Sequence, residues 1–75
     1  MNAIRTISEK TIITALVNYK FVGMFGKCMA HLNGKERDYV IDELTRRGYI
    51  DNNMKITPFA KDIILQNLDL FQYKN

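Results

Sequence analysis

Cys28 and His31 are the residues best equipped for metal or nucleophile chemistry, and they stand three positions apart on what reads as a single helix. A tetrahedral zinc site takes four such ligands, and the chain holds one cysteine and one histidine. No second pair completes a site. Cys28 then reads as a small core residue, and His31 as a residue near a helix end that interacts with free carbonyls. Asp38 and Asp42 lie one helical turn apart, but nearby bases and an exposed face make them poor partners for general acid/base work. No Gly-rich phosphate loop follows a strand, so nucleotide chemistry is unsupported as well. These observations describe a non-enzyme that needs neither cofactor nor metal, which leaves binding.

For binding, the distribution of charge matters more than its net value of +3. Through residue 34 the bases Arg5, Lys10, Lys20 and Lys27 face the single acid Glu9. From Lys35 to Arg47 the bases Lys35, Arg37, Arg46 and Arg47 are matched by Glu36, Asp38, Asp42 and Glu43. The basic bias therefore belongs to the first half.

These side chains need elements to position them. Seventy-five residues make one small domain, near the size at which a single core is only marginally sufficient. A hydrophobic fraction of 47% argues against disorder. There is no signal-peptide apolar region and no run of about 20 apolar residues to span a membrane, so a soluble cytoplasmic protein is expected. Residues 1–7 read as an N-terminal arm and residues 72–75 as a frayed tail.

Ser8 is a natural N-cap for a first helix over residues 9–19, with Ile12, Ile13, Leu16 and Val17 as its buried stripe. The segment Phe21-Val22-Gly23 reads as a connector. A second helix is expected over 24–32, with Met24, Phe25, Cys28, Met29 and Leu32 on one side, and Asn33-Gly34 supplies a turn. A third helix follows from about Lys35 to Arg47, anchored by Val40, Ile41 and Leu44. At about 100° per residue, that anchoring places Lys35, Tyr39, Asp42 and Arg46 on the outer side.

Gly48 is the predicted stop of the third helix, in the left-handed cap conformation. Tyr49-Ile50 and Met54-Lys55-Ile56-Thr57 fit two short strands of a hairpin, with Asp51, Asn52 and Asn53 as the turn and the asparagines tolerating its left-handed backbone. Thr57 caps a fourth helix, with Pro58 at its first position. Ala60, Ile63, Ile64, Leu68 and Phe71 form its core stripe, and Phe59, Leu65 and Leu70 fall outside it. The predicted fold is mainly α: a small winged helix-turn-helix of about four helices with a minimal β-hairpin wing.

Several short motifs resemble the N-terminal domain of the MotA family, the middle-promoter transcription activators of T4-type bacteriophages. They are Ser-Glu-Lys-Thr at 8–11, Arg-Arg-Gly-Tyr-Ile at 46–50, and Ile-Thr at 56–57 followed by Ala60, Asp62, Ile63 and Ile64. The resemblance spans about residues 7–72 with nearly matching spacing. It implies a winged-helix activation domain that engages the sigma factor of the host RNA polymerase. The family's DNA reading belongs to a separate C-terminal domain and does not carry over.

Two modes of action follow for a small transcription regulator of phage or viral type. In the first it docks on duplex DNA as a helix-turn-helix, with Lys35, Arg37, Tyr39 and Arg46 at the groove and Lys20 and Lys27 on phosphates. Against that mode, Asp42 shares the outer face, Asp42–Arg46 and Glu43–Arg47 are spaced as helical ion pairs, and the wing tip is Asp51-Asn52-Asn53 rather than Lys or Arg. In the second, the domain binds host transcription machinery through its basic first half and the apolar residues Phe59, Leu65 and Leu70, which would also suit a second copy of the chain in a homodimer.

Overall fold

The computed structural model describes residues 7–23, 29 and 31–71. The first helix, α1 (Glu9–Val22), begins where its sequence requires: the Ser8 hydroxyl accepts from the Thr11 amide at 3.1 Å. It runs one turn further than the apolar pattern suggested, through Phe21 and Val22, and ends on Gly23 at φ 82°. Ile12, Ile13, Leu16 and Val17 are buried as expected.

The second described helix, α2 (Gly34–Arg46), opens with a reciprocal cap. The Glu36 amide donates to the Asn33 side chain at 2.9 Å, and the Asn33 amide donates to the Glu36 carboxylate at 3.0 Å. That pair satisfies two otherwise orphaned amides and explains how a glutamate can be buried here. Asn33-Gly34 is thus a helix start rather than a free turn. Val40 and Leu44 are fully buried, Ile41 partly so, and Lys35, Tyr39, Asp42 and Arg46 face outward as their spacing dictated.

At the end of α2, the Tyr49 amide reaches the Leu44 carbonyl at 2.9 Å and the Gly48 amide reaches Thr45 at 3.0 Å, with Gly48 at φ 79°. These are the two bonds of a Schellman cap, which needs a residue that accepts a left-handed backbone. The expected hairpin is not built beyond this point. Among the described residues there is no strand, and one antiparallel bridge joins Ile50 to Ile56. The chain between them is closed by Asp51, whose carboxylate accepts from the amides of Asn53 and Lys55 at 2.8 and 3.0 Å. The left-handed residue is Met54, at φ 64°, not an asparagine. Two backbone bonds flank the bridge, from the Asp51 amide to the Lys55 carbonyl at 2.9 Å and from the Thr57 amide to the Tyr49 carbonyl at 3.0 Å, and the pairing extends no further.

The expected fourth helix is broken into three pieces: a 3-10 turn at Pro58–Ala60, the short helix α3 (Lys61–Leu65) and a second 3-10 turn at Leu68–Leu70. Thr57 does stand at the start, but its hydroxyl donates to the Gly48 carbonyl instead of capping. Asn67 leaves helical geometry, at φ −129° and ψ 28°, while its side chain donates to the Ile63 carbonyl at 2.7 Å. The break turns Leu68 out of the expected core stripe to the surface and leaves Leu70 half-buried.

The core gathers Ile12, Ala15, Leu16, Met29, Leu32, Val40, Leu44, Ile50, Ala60 and Ile64. α1 is its spine, packing on α2, on α3 and on the second 3-10 turn. Among the described residues the architecture is mainly helical and does not form four helices with a hairpin wing. The expected second helix, with Met24, Phe25 and Cys28, lies largely outside the described residues, and so does the helix-turn-helix it would complete. Met29, His31 and Leu32 stand in a turn and bend before α2. Among the described residues, no helix is long and apolar enough to cross a membrane.

Candidate functional site

The outer face of α2 carries the residues expected to meet DNA, and its C-terminal end is electrically closed. Arg46 grips Glu43 with two bonds, Nη2 to Oε1 at 2.6 Å and Nε to Oε2 at 3.1 Å. Arg47 reaches back across the fold to Glu9 at 2.6 Å and also donates to Glu43 at 3.3 Å. Glu43 therefore pairs with both arginines, and the i,i+3 pair Glu43–Arg46 replaces the expected Asp42–Arg46 pair. The hydrogen bond from Arg47 holds the Glu9 carboxyl below its ordinary range, and that from Arg46 does the same for Glu43. Both guanidinium pKa values are raised in turn, chiefly by those hydrogen bonds.

Lys35 and Tyr39 are exposed on this face, and Arg37 is half-buried. Lys20 is not part of it: it sits in the last turn of α1. Lys27 and Arg5 lie outside the described residues. The bases expected to act together on a duplex are thus divided between separate elements.

Lys20 instead borders an apolar groove. The groove has a volume of about 470 Å³, within the ~300–1,000 Å³ usual for ligand-binding clefts. Ile56, Pro58, Ile64, Leu65 and Leu68 line it together with Phe21, and Lys20 and Lys61 supply its cationic groups. Phe21, Leu65 and Leu68 are exposed large apolar residues, with Leu65 55% exposed. Among the described residues neither lysine forms an ion pair.

Each wall of this groove has a local cause. α1 runs past its expected end, which brings Lys20 and Phe21 to the site. Pro58 is placed by the 3-10 turn it opens, and Ile56 by its bridge to Ile50. Leu68 is delivered by the break at Asn67. Of the expected protein-binding residues, Leu65 lies in the groove. Phe59 does not: it is 71% exposed and stacks on Tyr49, with ring centroids 5.8 Å apart. Leu70 is half-buried, and its carbonyl accepts from Asn18 at 3.1 Å.

Sequence reasoning missed Phe21, Ile56, Lys61 and Leu68. Phe21 was discoverable, since Gly23 two residues on is itself a helix-stop signal. Leu68 was not, because its exposure follows from the broken helix.

His31 is exposed in the turn before α2 and borders a small cavity of about 150 Å³ with Lys10, Thr11 and Thr14. Among the described residues, no group of three or more His, Cys, Asp or Glu side chains could hold a metal ion. Comparison of the chain with known protein families, curated proteins and solved structures finds no match.

Proposed function

We propose that this domain is a protein-docking module of a small transcription regulator, and that it engages the sigma factor of a host RNA polymerase through the groove between α1 and α3. The observation that carries the reading is the pairing of an apolar floor with two lysines that have no acidic partner among the described residues. An amphipathic segment offers the complement: its apolar side chains leave water in the groove while its carboxylates meet Lys20 and Lys61. The motifs that resemble the activation domains of phage middle-promoter activators support the choice of sigma factor as partner. A covalent reaction or a cofactor is not part of this proposal.

Docking on duplex DNA is the competing mode, and the charge arrangement favours it less. Phosphate neutralisation supplies most non-specific affinity for DNA, yet Arg46 and Arg47 are already neutralised by Glu43 and Glu9. The test is an anisotropy titration of the labelled domain with purified bacterial sigma factor, and separately with random duplex DNA at low and physiological salt. Sigma binding that is lost in Leu65→Asp supports the proposal. Tight, salt-sensitive DNA binding with no sigma binding overturns it.

A further inference from the structure

We propose that residues Asn67–Phe71 form a strap that sets the width of the groove, and that Asn18 is the positioning residue that latches it. This inference rests on the reading of the groove as a docking site, but the latch itself can be tested without any partner.

The strap is tethered at both ends by asparagine carboxamides. At its start the Asn67 side chain donates to the Ile63 carbonyl at 2.7 Å, which ties it to α3. At its end the Asn18 side chain donates one hydrogen to Thr14 of its own helix at 2.7 Å and the other to Leu70, 52 positions away, at 3.1 Å. Asn18 is 1% exposed. A buried carboxamide is retained only when its hydrogen bonds are made, and this one spends a donor on joining the C-terminal segment to α1. Between the tethers, Leu68 forms part of the groove wall. Beyond them, Phe71 packs against Phe21, another groove residue, with ring centroids 5.0 Å apart. One buried side chain therefore governs two of the groove's apolar contacts.

Apart from the packing of its 3-10 turn on α1 and the bond of the Asn67 amide to the Ile64 carbonyl at 3.0 Å, the strap has few contacts that hold it. Its internal bonds are the 3-10 bonds from Leu70 to Asn67 and from Phe71 to Leu68, at 2.9 and 3.1 Å, and Leu68 and Asp69 are exposed. Such a segment can open without unfolding the rest of a domain. Releasing Leu70 would free Leu68 and Phe71 together and dissolve one side of the groove.

Asn18→Asp is the decisive variant. It keeps the shape but replaces the donating NH2 with an oxygen that faces two carbonyls and can only accept while ionised. Phe71→Ala is the second variant, which loosens the strap from the ring contact and spares the buried position. Amide hydrogen exchange read by NMR gives local opening. In both variants the Leu70 and Phe71 amides should exchange about tenfold faster or more, the size expected for one lost buried hydrogen bond or ring contact. The amides of Val40 to Leu44 should change less. Affinity for sigma factor should fall along with strap protection.

If strap and α2 amides accelerate equally in both variants, Asn18 serves global stability and the latch is overturned. If the strap opens but sigma affinity is unchanged, its control of the groove is overturned. If the wild-type domain binds no sigma factor, the docking reading fails, while the exchange pattern still decides the latch.

Discussion

The C-terminal end of α2 and the groove beside α3 both carry two cations, and they differ in what stands next to them. At the end of α2, Arg46 and Arg47 share Glu43, and Arg47 adds Glu9 from α1. Beside the groove, Lys20 and Lys61 border Phe21, Leu65 and Leu68. The first arrangement joins two helices and leaves little field for a ligand. The second leaves both charges without an ion pair among the described residues, next to apolar surface. Formal charge along the sequence already balances the arginine-rich stretch and leaves the excess in the first half with Lys20; the tertiary neighbours add Glu9 to the arginine pairing and bring Lys61 beside Lys20.

The comparison is broken most directly by exchanging chemistry at the groove. Leu65→Asp places a carboxylate on its apolar wall, at a residue already 55% exposed. It should cost about 2–4 kcal/mol of sigma-factor binding, the range of an interface hot spot, while leaving the circular dichroism melt unchanged. A titration in which Arg46→Ala lost as much as Leu65→Asp would show that the two regions were ranked wrongly.

The joint between the regions comes next in size. Gly48 ends α2, and its carbonyl accepts from Thr57 at the head of the segment that leads into the groove. At φ 79° a side chain is strained, although a Cβ would meet only Phe59 at an ordinary 3.8 Å. Gly48→Ala should therefore destabilise the domain by about 1–2 kcal/mol through backbone strain alone, read as a lower urea midpoint at unchanged slope. An unchanged midpoint would mean that the cap is not strained.

Unpairing the arginines sharpens the contrast with a smaller effect. Glu43→Gln removes the carboxylate common to Arg46 and Arg47 and should make the α2 end cationic. Non-specific duplex DNA binding should then rise, with a salt slope steeper by about one to two, near 0.9 for each added phosphate contact. A slope equal to the wild type would show that these arginines do not reach phosphates even when freed.

Acid gives the smallest effect. The folded pKa values of Glu9 and Glu43 lie below the ordinary 4.5, so their pairs contribute stability above that value. The contribution is lost as the pH falls from 4.5 through the lower folded values. Glu9 and Arg46 are largely open to solvent, at 67% and 69% side-chain exposure, and pairs with such members are weak, although the Glu43 side chain itself is only 15% exposed. The midpoint of thermal unfolding should decline slightly over that interval, and the decline should shrink in Glu9→Gln. An identical decline in that variant would locate the acid sensitivity elsewhere, Asp51 being the next group to test. Its carboxyl is held low by the Lys55 and Asn53 amides.

What could be read in the chain was local. Ser8 caps α1, Gly48 ends α2, and the outward set Lys35, Tyr39, Asp42 and Arg46 follows from helical period, because each depends on neighbours within about one or two turns. The Asn33–Glu36 cap is equally local, an N-cap with a glutamate three residues on, although Asn33-Gly34 by itself reads as a turn. The continuous last helix and the hairpin failed for a different reason. Helical spacing from Ala60 to Phe71 permits one helix, but Asn67 bonds back to Ile63 and Asn18 holds Leu70 from 52 positions away. Across the turn the Asp51 amide does reach the Lys55 carbonyl and the Thr57 amide the Tyr49 carbonyl, but the pairing stops at the single Ile50–Ile56 bridge, between the Gly48 cap on one side and Pro58 on the other. Of the site, Lys20 and Leu65 were named from the sequence as separate candidates, whereas Phe21, Lys61 and Leu68 join them only in three dimensions.

The sequence by itself determined the mainly helical character, where the two longer helices begin and which of their faces are buried. Those follow from capping groups and apolar period, which act over a few residues. Tertiary structure decided the long-range pair of Arg47 with Glu9, beyond the local pairs with Glu43, and it assembled the groove from α1, the bridge at Ile56 and the broken last helix. The physical reason is that ion pairing, burial and latching act between side chains brought within a few ångströms, whatever their separation along the chain.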